Sequence, residues 1–500
     1  MKQNVLAIDL GASGGKSFVG SFDGESFSMK EIHRFEYEGV PFFNNSNGNP
    51  IEQVFWDDIF IYRNIITSLK KYAKKYSEPL QSIGIDTWGA DGQFIDKNAD
   101  LLNKIYHYRD HRLDDMVQKL KSRMDSDKVY EITGIHFQPF NLSNQLLWTV
   151  MNRPEQIERA ETFLPIPTLL NYYICGSKCV DTTWASITQL MNAERKEWST
   201  EILKALKIPK KLLPKIVEPG SVLGNIYAPL AELTGIDKAK VIAVGSHDTA
   251  SAFASAPIED PEEALIISSG TWSLVGCLVP KPITTHEASL AGLSNEGGIG
   301  NIRLLRNCMG TWIMQELRRK WRDDDGEPLS WTEIEKMSQE ATPFKSFIDP
   351  DDKSFYNPTN MEHSIIQYCK KTGQPVPENR SEILRTVYES LPMKYRYVNE
   401  IIKKAADRQT KCVHIVGGGC KDSFINQLTA NALGIPVYTG PEDATAVGNI
   451  MVQACGLGII DNIVEAQSYI KKSFIIGKFF PENSEIWSLK YKEYKKICGL

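Results

Sequence analysis

Apolar and polar positions along this chain change period repeatedly, and the changes predict an alternation of strands and helices. Residues 5–8 form a short apolar run with β-branched members, the composition of a buried strand. Asp9-Leu10-Gly11-Ala12-Ser13-Gly14-Gly15 follows. Residues 17–22 then alternate polar and apolar up to the turn signal Asp23-Gly24, and a further strand starts at Ser26. A strand, a glycine-rich turn and a returning strand predict a hairpin rather than a strand–turn–helix unit. Residues 56–76 place Ile59, Tyr62, Ile66, Leu69 and Ala73 at helical spacing with lysines opposite, which predicts a helix buried on that face. Residues 82–86 read as a buried strand ending in Asp86-Thr87-Trp88-Gly89.

Residues 154–219 are harder to assign and contain helical pieces. Residues 241–245 are a strand of small apolar residues ending in Ser246-His247-Asp248-Thr249, and 250–256 read as a small-residue helix. Ile258-Glu259-Asp260-Pro261 looks like a connection. Beyond it a strand, the turn Ser269-Gly270-Thr271 and a returning strand over 272–279 repeat the opening device. A helix over 382–408, a strand over 413–416 ending in Gly417-Gly418-Gly419, a helix over 423–433, a strand over 436–438 and a helix over 444–454 complete the alternation. This order predicts α/β layers. A chain of 500 residues exceeds what one core usually fills, and the echoed hairpin predicts two similar domains, 1–256 and 257–500.

Composition narrows the function. Hydrophobic residues make up 42% and charged residues 24%, and the net charge is −5, which argues against a nucleic-acid partner. The first ten residues enter an apolar strand with no signal-peptide h-region, and no stretch of about 18 apolar residues marks a membrane span. Nine cysteines without a CxxC pair read as reduced thiols, so a cytoplasmic protein is expected.

The chemistry concentrates at strand ends. Asp9 ends the first strand, where a carboxylate can hold Mg²⁺; Gly11, Gly14 and Gly15 let backbone N–H groups approach a phosphate, with Ser13 and Lys16 adding hydrogen bonds and charge. An ordinary hairpin turn is the competing reading, and the spacing is not that of a Walker A loop. Ser268-Ser269-Gly270-Thr271-Trp272 is the matching turn in the second half. Three consecutive glycines at 417–419 suit the close approach of a nucleotide, or a tight structural turn. Asp248 stands where α/β folds bind ligands and can take a proton from a substrate hydroxyl, or simply cap the following helix. Trp88 between Asp86 and Asp91 offers an aromatic face and carboxylates to a sugar.

Taken in order, Asp9–Ser13, SIGIDTWG at 82–89, Tyr108-Arg109-Asp110, Gly134-Ile135 with FQPFN at 137–141, SHDTASA at 246–252, SSGTWSL at 268–274, NEGG at 295–298, Asn307, Met309-Gly310, HIVGGGC at 414–420 and Gly448-Asn449-Ile450 resemble the FGGY family of sugar kinases. The resemblance runs over almost the whole chain. It implies two ribonuclease-H-like domains, of the actin/hexokinase-like ATPase type, around a central cleft, with sugar on the first and ATP on the second. It implies phosphorylation of a ketose at C1, L-rhamnulose being the expected sugar and L-fuculose or another deoxyketose the alternative; a non-catalytic, sugar-responsive regulator is the remote alternative. Asp248 would be the base. Trp88, Gly89, His247, Asp248, Thr249 and Asn307 would contact sugar. Ala12, Ser13, Gly14, Gly15, Lys16, Thr271, Gln315 and Gly418 would contact ATP, and Asp9 would anchor Mg²⁺. Partners are then a ketose and ATP, in a monomer or homodimer. Two departures stand out: Lys16 replaces an expected arginine, keeping charge but losing the bidentate fork, and Gly92-Gln93 replace apolar residues.

Overall fold

The opening hairpin forms as its pattern requires. Gln3–Gly11 pairs antiparallel with Gly14–Phe22, closing on the two-residue turn Ala12-Ser13. The computed structural model describes residues 2–24, 26–45 and 48–500. By its contacts the chain divides into two compact units. The first comprises Met1–Ser255, Leu278–Leu304 and Thr445–Ser473; the second comprises Ala256–Cys277, Leu305–Ala444 and Phe474–Leu500. By contacts, residues 278–304 and 445–473 are grouped with the first unit.

The first unit is built on a six-stranded sheet in the order Val222–Asn225, Lys240–Ile242, Leu80–Thr87, Gln3–Gly11, Gly14–Phe22, Phe27–Glu36. Leu80–Thr87 runs parallel to both Gln3–Gly11 and Lys240–Ile242. Val5, Leu6, Ala7 and Ile8 are all fully buried, as a central strand covered on both faces demands.

The helix expected over 56–76 runs from Asp58 to Lys75, with Asp57 accepting the Phe60 N–H as its cap and Lys74 and Lys75 in the last turn. Its buried face differs from the expected one. Ile61, Ile65, Ser68, Leu69 and Tyr72 are inside, while Ile59 is 66% exposed. Adjacent apolar pairs such as Ile61-Tyr62 and Ile65-Ile66 satisfy either rotation, so periodicity left the face ambiguous by one residue and packing decided it. The helix Ala444–Leu457, far along the chain, also belongs to this unit except for its first residue. Its Gln453 accepts from Ser82 at 2.7 Å and donates to the Leu6 carbonyl at 3.1 Å.

The second unit repeats the pattern. Ala264–Ser269 pairs antiparallel with Trp272–Val279 and parallel with Cys412–Val416, which is parallel to Val437–Thr439, itself antiparallel to Gly477–Phe479. Ile302–Met309 lies beyond Trp272–Val279. Hairpin, parallel neighbour, second parallel neighbour and antiparallel edge follow one another as in the first sheet, so the echoed hairpin marks a repeated topology. Among the described residues no helix is long and apolar enough to cross a membrane.

Candidate active site

Three strand ends are tied together in the first unit. The Trp88 N–H donates to the Leu10 carbonyl at 3.0 Å, and the Thr87 N–H donates to the Ser246 carbonyl at 2.8 Å. Asp9, Gly89 and Asp248 are thereby gathered at the carboxyl ends of neighbouring strands, where α/β sheets bind ligands. Asp9 stands in register with Lys16 on one side and Asp86 on the other.

Asp86 is fully buried, and burial, then the charge of Asp9, pushes its carboxyl well above the usual carboxylate range. Asn449 Nδ2 donates to its Oδ2 at 2.5 Å. Its Oδ1 is buried without a hydrogen-bond partner. Tyr37 donates to the Gly11 carbonyl at 2.6 Å, and its phenol is pushed up by burial and by the charges of Asp9, Asp248 and Asp86. These three carboxylates therefore share one electrostatic neighbourhood. Among the described residues no group of three His, Cys, Asp or Glu could enclose a metal ion alone. Mg²⁺ commonly takes only one or two carboxylates and completes its shell with phosphate and water, and the Asp9–Asp86 pair with its unsatisfied oxygen fits that demand.

Asp248 opens the helix Asp248–Ala254. Its Oδ1 accepts from the Thr249 N–H at 2.6 Å and from Thr249 Oγ1 at 3.1 Å, so one oxygen is pinned while the side chain stays 30% exposed. The cap position of this helix is His247, without a side-chain cap, so Asp248 lies in the first turn and does not cap the helix as the competing reading had it; its carboxylate is still reachable by a substrate hydroxyl. His247 packs against Gly89, on which a Cβ would stand 2.7 Å from Nε2.

An aromatic wall adjoins this point. Trp56 and Trp88 lie with ring centroids 4.2 Å apart, and His107 lies 4.1 Å from Trp56 and 4.6 Å from Tyr108. Asp91 holds the wall: its Oδ2 accepts from Trp56 Nε1 at 2.7 Å, Trp88 Nε1 at 3.2 Å and the Tyr108 N–H at 3.1 Å. Burial raises Asp91 to about 6 against these donors, and burial lowers His107 to about 4, with Arg109 and Arg112 adding to it. Gly92 and Gln93, flagged as departures, are structural here. A Cβ on Gly92 would meet the Leu164 carbonyl at 2.5 Å, and Gln93 bonds the Lys104 carbonyl and the Phe94 N–H.

Three of the expected ATP residues gather in the second unit. Thr271 Oγ1 lies 3.5 Å from Gln315 Oε1, and Gln315 Nε2 donates to Thr311 Oγ1 at 3.0 Å, which donates to the Gly270 carbonyl at 2.9 Å. Gly417 has φ +84°, and a Cβ there would stand 2.9 Å from the Ser269 carbonyl. At Gly418 the space is open, with nothing within 4 Å of a built Cβ. A turn flanked by bare backbone and an open glycine is a cradle in which a nucleotide can lie flat. Asn307 is also in the second unit, with its side-chain oxygen buried and unpartnered. Ala12 and Ser13 form the exposed tip of the first hairpin.

Sequence reasoning assigned no role to Trp56, His107, Glu296 or Arg303. Their signal was weak: an arginine interrupting the apolar alternation of Ile302–Met309, and an aromatic density spread over 50 residues.

The description "FGGY family of carbohydrate kinases, N-terminal domain" matches residues 4–254, and its C-terminal counterpart matches residues 265–457. The chain is 37% identical over 496 residues to a rhamnulokinase of Bacteroides thetaiotaomicron, covering 99% of each protein. It is 34% identical to a rhamnulokinase of Pectobacterium atrosepticum, covering 99% of this chain and 96% of that one. Among solved structures, a gluconate kinase of Lactobacillus acidophilus superposes with a TM-score of 0.79 at 19% identity over 99% of this chain and 98% of the other, a likeness of fold alone. Two family domains in order and full-length relatives at this identity leave one conclusion: the chain belongs to the FGGY family of carbohydrate kinases.

Proposed function

We propose that this carbohydrate kinase transfers the γ-phosphoryl group of ATP to the C1 hydroxyl of L-rhamnulose, giving L-rhamnulose 1-phosphate and ADP in L-rhamnose breakdown. The family supplies ATP as the phosphate donor. The sugar assignment rests on the relatives named rhamnulokinase at 32–37% identity over nearly the full chain. The observation that carries the catalytic assignment is the Asp248 carboxylate, pinned through Oδ1 yet partly exposed, beside His247 and Gly89.

In this reading Asp248 takes the proton as the C1 oxygen forms its bond to the γ-phosphorus. The bond from that phosphorus to the bridging oxygen breaks, and ADP leaves. Gly89, His247 and Thr249 orient the sugar, with Trp88 and Asn307 as further contacts. Ala12 to Lys16 hold phosphates through the hairpin's N–H groups and the lysine charge, while Thr271, Gln315 and Gly418 hold the nucleotide. Sugar binding thus belongs mainly to residues 1–256, and ATP binding mainly to 257–500. Mg²⁺ held by Asp9 would neutralise charge on the phosphates. Among the described residues all nine cysteines are free, which supports a cytoplasmic enzyme.

The test is the product. With L-rhamnulose and Mg-ATP, ³¹P and ¹³C NMR should find a phosphate ester on C1. An ester on another carbon, or orthophosphate alone, would overturn the assignment.

A further inference from the structure

His247 is the residue next to the proposed base, and its ring is held from behind by a buried ion pair. Arg303 has a fully buried side chain, and its Nε donates to the Gly297 carbonyl at 2.9 Å. Its NH2 lies 3.1 Å from His247 Nδ1 in hydrogen-bond geometry and 3.2 Å from Glu296 Oε2. Glu296 Oε2 also stands 3.3 Å from His247 Nδ1, yet it makes no hydrogen bond. We propose that Arg303 is a positioning residue that fixes the neutral His247 ring with its proton on Nε2, aimed at Asp248 Oδ1 and the space beside Gly89. The proposal rests on Asp248 being the base.

The argument is one of donor and acceptor counting. A guanidinium has five N–H donors and no acceptor, and it does not deprotonate in a protein. A ring nitrogen that accepts from it must present its lone pair. Nδ1 is therefore bare and the neutral ring carries its proton on Nε2. Nε2 stands 3.5 Å from Asp248 Oδ1. An N–H placed there can donate to a substrate oxygen.

The second anchor, from Nε to Gly297, keeps the guanidinium from turning away. Glu296 supplies the counter-charge. Burial alone would raise its carboxyl, but the charge of Arg303 opposes burial and the carboxyl is held below the ordinary value. The charged groups facing the ring are thus Arg303 and Glu296 from behind and Asp248 in front; Asp181 acts at longer range on Arg303. Swapping the balance of the rear pair should change both which nitrogen is protonated and how readily the ring takes a second proton.

The experiment uses the full chain with ¹⁵N-labelled histidine, which gives eight imidazoles, and His247→Asn to identify the signals of interest. The parent should give an unprotonated Nδ1 and a protonated Nε2. Arg303→Met leaves Glu296 as the only rear partner. It should move the proton to Nδ1, shift the acid limb of kcat/KM upward by about one pH unit and lower sugar kcat/KM by about tenfold or more, the share of a lost charge-assisted hydrogen bond. Glu296→Gln should keep the Nε2–H form and shift the acid limb downward. The KM for ATP should change in neither. A purely structural role would not produce opposite shifts. If the single variants do not fold, Arg303→Met with Glu296→Gln removes both buried charges, and the parent spectrum still decides. A parent ring protonated on Nδ1, or a folded Arg303→Met variant with an unchanged pH profile, overturns the proposal. Full activity of Asp248→Asn would instead remove the base assignment, while the ring spectrum would still read the tautomer separately.

Discussion

Gly89 is packed so closely against His247 that a Cβ on it would stand 2.7 Å from Nε2 of the imidazole and 2.7 Å from Cδ1 of Ile187. The imidazole is not a free end, because the ring is held from behind by Arg303. Gly89→Ala should therefore displace His247 and raise the KM for sugar by about tenfold or more, at the overpacking scale of about 1–3 kcal/mol, with the KM for ATP unchanged. Steady-state kinetics with each substrate varied in turn checks it; an unchanged sugar KM would mean that His247 does not set the pocket wall.

Asp248→Asn keeps a carbonyl oxygen for the Thr249 N–H and removes the proton acceptor. Turnover should fall by about 10²–10⁴-fold, the usual contribution of a general base, while the melting temperature moves little. Near-parental turnover in the folded variant would take Asp248 out of the reaction.

The aromatic wall gives a pH dependence with opposing parts. Burial lowers His107 from 6.5 to about 4, so the native state binds fewer protons than the unfolded one there. Its stabilisation is present above 6.5 and is lost as pH falls through about 4. Burial raises Asp91 and Asp181 from 3.8 to about 6, so their stabilisation is full below 3.8 and is lost as pH rises through about 6. Replacing His107 with Phe should remove the first slope and leave the second. Urea unfolding from neutral pH to about pH 4 should then show the variant gaining on the parent by up to roughly 3 kcal/mol as pH falls. A constant difference across that range would contradict the assignment.

Gly417 adopts φ +84°, a conformation that side chains rarely accept, with the Ser269 carbonyl 2.9 Å from where a Cβ would lie. Gly417→Ala should push the glycine segment off the Ser269–Thr271 turn. The KM for ATP should rise by about tenfold, and that for sugar should not move. Equal effects on both substrates would indicate general misfolding rather than a damaged nucleotide cradle.

Local features were legible in the sequence, and long-range ones were not. The hairpin around Ala12-Ser13, its echo around Gly270, and the helix Ser423–Leu433 follow from period and turn chemistry within a dozen residues. Asp9 and Asp86 could be picked out because each stands near the end of an apolar strand, and Asp248 because it follows an apolar run at the start of a helix. The rotation of Asp58–Lys75 could not be fixed, since two neighbouring apolar stripes compete for the sheet. The return of residues 278–304 and 445–473 to the first unit depends on contacts across hundreds of residues, such as Ser82 with Gln453. Arg303 stayed hidden for a related reason. Its partners Glu296 and His247 come from different elements, and only the folded chain places all three around one ring.

The most direct test of the central claim is a coupled ADP-release assay with Mg-ATP against L-rhamnulose, L-fuculose, L-xylulose and D-xylulose. The account predicts that L-rhamnulose has by far the highest kcat/KM. A higher value for another ketose, or no turnover of any while ATP still binds, would contradict it.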